Sequence, residues 1–170
     1  KNCSKLSPTE WKLATSRSEM EIHMNTADNL EQFLPILRTA SIFSGMSDSE
    51  ILSVLHCMGA FVSDKEKDSY LLRAGDMTST MGLLLSGSAI VIQEDVWGHR
   101  NIMAQILPGQ TFAEPFAASN GTALNISVVV TKDCSLLYLD IHRILGVCPS
   151  ACEHHTHLIQ NLISVLAKKL

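Results

Sequence analysis

The stretch Ala89-Ile90-Val91-Ile92-Gln93-Glu94-Asp95-Val96-Trp97-Gly98-His99-Arg100-Asn101-Ile102-Met103-Ala104-Gln105-Ile106-Leu107 decides the fold. Its apolar side chains follow a period of two. Ile90 and Ile92 oppose Ala89 and Val91, while Ile102, Ala104 and Ile106 alternate with Met103, Gln105 and Leu107. Such alternation places successive side chains on opposite faces of a sheet. Gly98, within Val96-Trp97-Gly98-His99, falls where two such runs would join as a hairpin. The same period returns at Ile126, Val128 and Val130 against Ser127, Val129 and Thr131. Turn residues at Gly75-Asp76, Gly87, Gly98, Pro108-Gly109 and Asn120-Gly121 cut the region after Gly59 into short strands. Roughly eight strands at this spacing predict an antiparallel sandwich or barrel, mainly β with flanking helices, and a jelly roll is the arrangement that closes such a sheet.

Helical periodicity flanks the strands. Leu30, Phe33, Leu34 and Leu37 share one face, with Pro35 weakening the middle of that helix. Ser47-Asp48-Ser49-Glu50 matches a capping box ahead of Ile51, Leu52, Val54 and Leu55. At the other end Pro149 opens a helix whose stripe is Leu158, Leu162, Val165 and Leu166. The stripe reaches Leu170 without a capping residue, so the helix is expected to continue in a longer parent protein. It can be buried in two ways: against an identical helix of a second copy, or back on its own barrel. The dimer is the expectation. The organisation expected is an N-terminal arm over 1–26, a jelly roll with its N-terminal helices over 27–147, and the start of a dimerisation helix over 148–170.

Bulk properties narrow the function. Among 170 residues, 46% are hydrophobic and the net charge is −4, from 13 basic and 17 acidic side chains. That is enough apolar material for one folded domain, and too acidic a balance to grip nucleic acid alone. No apolar run is long enough for a bilayer span, and residues 1–24 lack the apolar core of a secretory signal, so a cytoplasmic location is expected. Five cysteines are an odd number for an exported scaffold, and reduced thiols are the simpler reading. No Gly-x-Ser-x-Gly elbow, phosphate loop or His-Glu-x-x-His occurs, so no enzyme is expected.

Five segments in order carry a family resemblance. Leu72-Arg73-Ala74-Gly75-Asp76 and Leu84-Leu85-Ser86-Gly87-Ser88-Ala89 are similar to the early strands of a cyclic-nucleotide-binding jelly roll. Leu107-Pro108-Gly109-Gln110-Thr111-Phe112-Ala113-Glu114 resembles that fold's phosphate-binding cassette. Asp133-Cys134-Ser135-Leu136-Leu137-Tyr138-Leu139-Asp140 resembles the strand leading into the terminal helices, and Leu166-Ala167-Lys168-Lys169-Leu170 the first half of a dimer helix. Over residues 28–170 the chain thus resembles the effector domain of Crp–Fnr transcription regulators, without their helix-turn-helix domain. The resemblance implies a homodimer, an effector held in the barrel, and DNA contact only through the domain that is absent here. It also implies an effector-binding set of Phe112, Ala113, Glu114, Leu124 and Asn125.

The cassette departs from the family pattern in ways that speak against cyclic AMP. In the family a Glu accepts from the ribose hydroxyl, and an Arg neutralises the phosphate. Glu114 keeps the first role, but Leu124 stands at the Arg position. Leucine cannot pair with a phosphate, and burying an uncompensated charge is costly. Ala113 replaces a glycine that allows close backbone approach, and Pro115 removes one N–H donor. Glu114 has a structural reading as well, as a carboxylate capping the short helix begun by Pro115-Phe116-Ala117. The losses point to an effector less anionic and more apolar than a cyclic nucleotide.

Cys148-Pro149-Ser150-Ala151-Cys152-Glu153-His154-His155-Thr156-His157 is the most chemically loaded stretch. On a helix Cys148 and Cys152 lie one turn apart, and Cys152 pairs with His155 at i, i+3, so a metal, haem or redox site is stereochemically open. The reading preferred is a helix entry with buried thiols and a partly solvated histidine face, with no cofactor assigned. A third possibility for the whole chain is a free-standing dimeric interaction module, which would have a filled cassette and no cavity.

Overall fold

The computed structural model describes residues 30–119, 121–146 and 153–169. Among them the strands are β1 (Phe61–Lys65), β2 (Tyr70–Leu72), β3 (Thr80–Glu94), β4 (Arg100–Ile106), β5 (Thr111–Phe112) and β6 (Ser127–Asp140). The helices are α1 (Leu34–Leu37), α2 (Asp48–Cys57), α3 (Glu114–Ala118), α4 (Ile141–Leu145) and α5 (Glu153–Lys169). All strand pairs are antiparallel; the sheet runs β1-β6-β3-β4, with β2 also on β6 and β5 also on β3.

The hairpin read from the sequence joins β3 to β4. Asp95 builds its turn: one carboxylate oxygen accepts from the Trp97 and His99 backbone N–H groups, both at 2.9 Å. Gly98 takes φ +83°, which glycine adopts without strain.

Among the described residues six strands stand where about eight short ones were expected: Gly87 bends β3 instead of ending it, and β6 runs unbroken from Ser127 to Asp140. Before Gly87, Met81, Leu83 and Leu85 face the helices while Leu84 faces the interior of the sheet. After it, Ala89 and Val91 face that interior, so the inward set has moved from even to odd positions. The register against β6 shifts at Ser86, Ser88 and Ala89, the signature of a bulge that re-aims a whole strand. β6 keeps its parity throughout, with Val128, Val130, Cys134 and Leu136 inward and Leu137 and Leu139 toward the helices.

Two cores result. The smaller lies inside the rolled sheet around Leu84, Ile106, Phe112, Val128 and Leu136. The larger joins β3 and β6 to the helices through Phe43, Ile51, Leu55, Met81, Leu139 and Leu158. The capping box holds α2 as expected: Ser47 Oγ accepts from the Glu50 N–H, and Glu50 Oε2 accepts from the Ser47 N–H at 2.7 Å. The first helical segment is shorter than expected. A 3-10 turn at Glu31–Phe33 passes into the single turn of α1, where Pro35 can stand because the first N–H groups of a helix need no intrahelical partner.

Within the single chain the stripe on α5, expected as a dimer seam, packs on the chain's own core. Leu158, Leu162 and Val165 are 0%, 1% and 5% exposed within a single chain, and Leu166 packs half-buried on the same cluster. The 3-10 turn Ser41–Phe43, α2 and α4 offer the apolar trough that the stripe fills. Asn161 locks the fit, its side-chain amide donating to the carbonyls of Ile42 and Ser44 at 3.0 and 2.9 Å. Folding back on the chain's own core wins because it buries the stripe without the association entropy of a partner.

Two outcomes follow from this packing. Leu162→Ala should lower stability by about 2–5 kcal/mol through cavity formation, with a urea midpoint shift that does not depend on protein concentration. Gly87→Ala forces a Cβ to 2.2 Å from the Asp133 carbonyl oxygen at φ +82°. It should cost about 3 kcal/mol or more in the same unfolding assay, since strain and backbone clash add.

Candidate functional site

The site begins where β5 leaves the sheet. Thr111 and Phe112 pair with Leu83 and Gly82 of β3. Gly82 is required there, because a Cβ would lie 2.1 Å from the Phe112 ring. The chain then reverses at Ala113, whose φ of 69° and ψ of 6° are left-handed. A non-glycine residue held there costs about 1–2 kcal/mol. This is the conformation for which the resemblance expects glycine, and alanine occupies it under strain. The reversal starts α3 at Glu114, with Pro115 in its first turn.

Glu114 is wholly buried, and it does not cap the helix as the structural reading had it: no side chain caps α3. Its carboxylate meets Lys169 from the last turn of α5, with Nζ donating at 2.8 Å to Oε1 and 3.1 Å to Oε2. The third Nζ donor goes to the Thr111 carbonyl oxygen. An ammonium has three donors, and all three of these are used. The lysine side chain is 39% exposed and the carboxylate 1%, so the anion is the fixed partner and the cation the one nearer solvent.

Beside this pair opens a cavity of about 570 Å³, within the usual range of roughly 300–1,000 Å³ for small-molecule pockets. Val91, Ile106, Phe112 and Ile126 give it apolar walls, and Gln105, Gln110, Glu114, Lys168 and Lys169 its polar groups. Of the predicted effector set, Phe112, Ala113 and Glu114 line it. Leu124 and Asn125 do not. Leu124 is buried against the loop before β3, its N–H donating to the Asp76 carbonyl and its own carbonyl accepting from Gly75, both at 2.8 Å. Asn125 is exposed, and the wall on that side is Ile126. Among the described residues no arginine lines the cavity.

The Cys-His stretch takes a different course. His155 is buried, and its Nε2 carries the proton because it donates to the Ile144 carbonyl. It thus ties α5 to α4, and its Nδ1 has no partner among the described residues. His154 Nδ1 lies 3.2 Å from Glu50. Cys148 and Cys152 lie outside the described residues. Among the described residues no three metal-binding side chains converge. Burial, and then the charges of Asp64 and Asp133, push the Cys134 thiol up, which makes it a poor nucleophile.

The profile of the cyclic nucleotide-binding domain matches residues 64–150, more than half of the chain. The chain belongs to the cyclic nucleotide-binding domain family. Solved structures agree on the fold. The catabolite activator protein of Thermus thermophilus is 21% identical with a TM-score of 0.66, over 76% of this chain and 58% of that one. The sensor domain of the transcriptional regulator DNR from Pseudomonas aeruginosa is 16% identical with a TM-score of 0.64, over 82% of this chain and 89% of that one. A regulatory subunit of a cAMP-independent protein kinase A from Trypanosoma brucei, as a triple mutant bound to cAMP, is 21% identical with a TM-score of 0.64, over 88% and 49%. The chain therefore spans little more than half of the activator and about half of the kinase subunit. No curated protein matches it. Among the described residues no helix is long and apolar enough to cross a membrane.

In this cyclic nucleotide-binding domain the carboxylate of the cassette is present, buried and already paired, and the apolar cavity beside it is open. The sequence missed Ile126, Lys168 and Lys169. The two lysines were visible as the basic end of a helix, but nothing in their spacing names Glu114 as an acceptor.

Ala113→Gly should stabilise the domain by about 0.5–1 kcal/mol, since relief of left-handed strain outweighs the added freedom of the unfolded chain. Chemical denaturation monitored by tryptophan fluorescence would show the midpoint rise, where an ordinary Ala→Gly change lowers it.

Proposed function

We propose that this chain is the effector-sensing domain of a transcription regulator of the Crp–Fnr kind, answering to a ligand other than cyclic AMP. The observation that carries the reading is the contact between Glu114 and Lys169, which ties the cavity to the last turn of the C-terminal helix. An occupant that changes this contact changes the pose of α5, and such differential contact is what a two-state sensor needs. Support for the regulator class comes from the fold likeness to a catabolite activator protein and to the sensor domain of a transcriptional regulator. The open cavity favours a sensor over an interaction module with a filled cassette.

In this proposal the parent protein is cytoplasmic and homodimeric, and it reads DNA through a helix-turn-helix region that these residues do not include. The homodimer would use the face of α5 that its own core leaves free, where Ile163 is 60% exposed, and not Leu158, Leu162 and Val165. Cyclic AMP is disfavoured on two counts: among the described residues no arginine lines the cavity, and Glu114 is already satisfied. The Trypanosoma brucei subunit runs parallel. It is described as cAMP-independent, and one of the three substitutions in its cAMP-bound mutant introduces an arginine.

The test is a thermal-shift and calorimetric screen of the purified chain. Cyclic AMP and cyclic GMP at millimolar concentration should leave the melting midpoint unchanged. A ligand at a hundredfold its Kd stabilises by about 2.7 kcal/mol, so a shift of that size with either nucleotide overturns the exclusion. Failure of every small molecule to bind would overturn the sensing role itself.

A further inference from the structure

We infer that the effector carries a primary ammonium group on an apolar body, and that it binds by taking the place of Lys169 on Glu114. The inference rests on the sensing role proposed for the same cavity and names the chemistry of its ligand.

Three acceptors converge on one point: Glu114 Oε1, Glu114 Oε2 and the Thr111 carbonyl. That is the full complement of an –NH₃⁺ group, and here the chain's own lysine fills it. The acceptors are rigid. Glu114 is 0% exposed at the start of α3, and Thr111 is held in β5 by its pairing with Leu83. The donor is not: Lys169 reaches in from the last turn of α5 with its side chain 39% exposed.

Charge decides the class of ligand. The fixed, buried charge is negative, and the cations at the cavity, Lys168 and Lys169, both ride on the end of one helix. An anion entering the cavity would meet Lys169 with its three donors spent, and beyond it only the exposed Lys168 at the helix end. To use Lys169, the anion must strip Glu114 of its partner and leave a buried carboxylate uncompensated. A neutral hydroxyl would replace a charge-assisted contact with a weaker one. An ammonium keeps the balance: one cation leaves Glu114 as another arrives, and the freed Lys169 returns to water, where its charge costs nothing. The apolar walls of Val91, Ile106 and Phe112 then receive the rest of the ligand. The exchange also gives the signal, because occupancy and docking of the last turn of α5 exclude each other.

Chemical rescue tests this with n-butylammonium as the probe. Lys169→Met, which keeps the aliphatic stem, should melt several degrees below the parent. Millimolar n-butylammonium should recover most of that loss. Tetramethylammonium, which has no N–H donor, and butyrate should not do so at matched ionic strength. In Glu114→Gln/Lys169→Met the rescue should vanish. In the parent chain n-butylammonium should speed hydrogen exchange over residues 166–169 while leaving 155–162 protected. Equal rescue by tetramethylammonium, rescue that survives the loss of Glu114, or no rescue at all overturns the inference. Binding of butyrate or n-butanol in place of the amine would overturn the ammonium and leave the sensing cavity standing. Absence of binding by all of them would overturn both.

Discussion

The pairing of β3 with β6 runs from Thr80 against Asp140 to Ile92 against Ser127, and every other described strand pairs with one of these two. Its lower half backs the helical core, its upper half encloses the sheet's own core, and Gly87 is where one becomes the other. A bulge there moves the inward set of β3 by one residue. Without that step Ala89 and Val91 would point outward, and the cavity wall that Val91 supplies would not exist. Gly87 can make the step because its φ of +82° brings its backbone against Asp133 and Cys134 with no side chain between. The position of the site is thus a consequence of one residue's missing Cβ, four positions before Val91 in the same strand.

Glu114 is the second fixed point. A carboxylate at 1% exposure is tolerated only with a counter-charge or several donors. In a site built for a cyclic nucleotide the ligand supplies donors when it binds, and an arginine answers the phosphate. Among the described residues no arginine reaches the cavity, and a lysine from the C-terminal helix meets the carboxylate instead. The two changes belong together. Once Lys169 satisfies Glu114, the apo domain has no unpaired buried anion, and any ligand that needs Glu114 must compete with a tethered group. Tethering makes Lys169 a strong competitor, because most of the cost of bringing it there is already met by the folding of α5.

Much of this was legible in the sequence wherever the deciding contacts are local. Periodicity found the β3–β4 hairpin, the Ser47–Glu50 capping box and the apolar stripe of α5, since each depends on neighbours within a turn or a strand. The strand count failed at Gly87 because a positive φ ends some strands and bends others, and the choice is made by Asp133, far away in the chain. The α5 stripe was read correctly as apolar, and in the single chain it is the chain's own core that covers it. Leu158 and Leu162 look the same from the sequence whether the groove that receives them is Ile42 and Ile51 or a second copy. Position 124 failed differently. Counting back from Asp133 placed it in the cassette, but the backbone bonds from Leu124 to Gly75 and Asp76 draw it to the neighbouring loop, and Ile126 faces the cavity. Glu114 was legible as a residue. Its partner, fifty-five positions away, was not.

The burial of the α5 stripe also sets how far a signal can travel. Leu158, Leu162 and Val165 are each buried, and removing such a side chain from a core costs about 2–5 kcal/mol for a leucine. Asn161 and His155 add polar contacts to the same segment. A ligand of micromolar affinity brings about 8 kcal/mol in total, and only its differential affinity for the two poses is available to shift them. That is too little to lift the helix from its trough. It is ample to exchange one partly exposed ion pair at the helix end. The movement that binding can produce is therefore confined to the turn after Val165, with the rest of α5 as its rigid base. An element following α5 would feel this as a change in the direction and order of the last turn, not as a sliding of the helix.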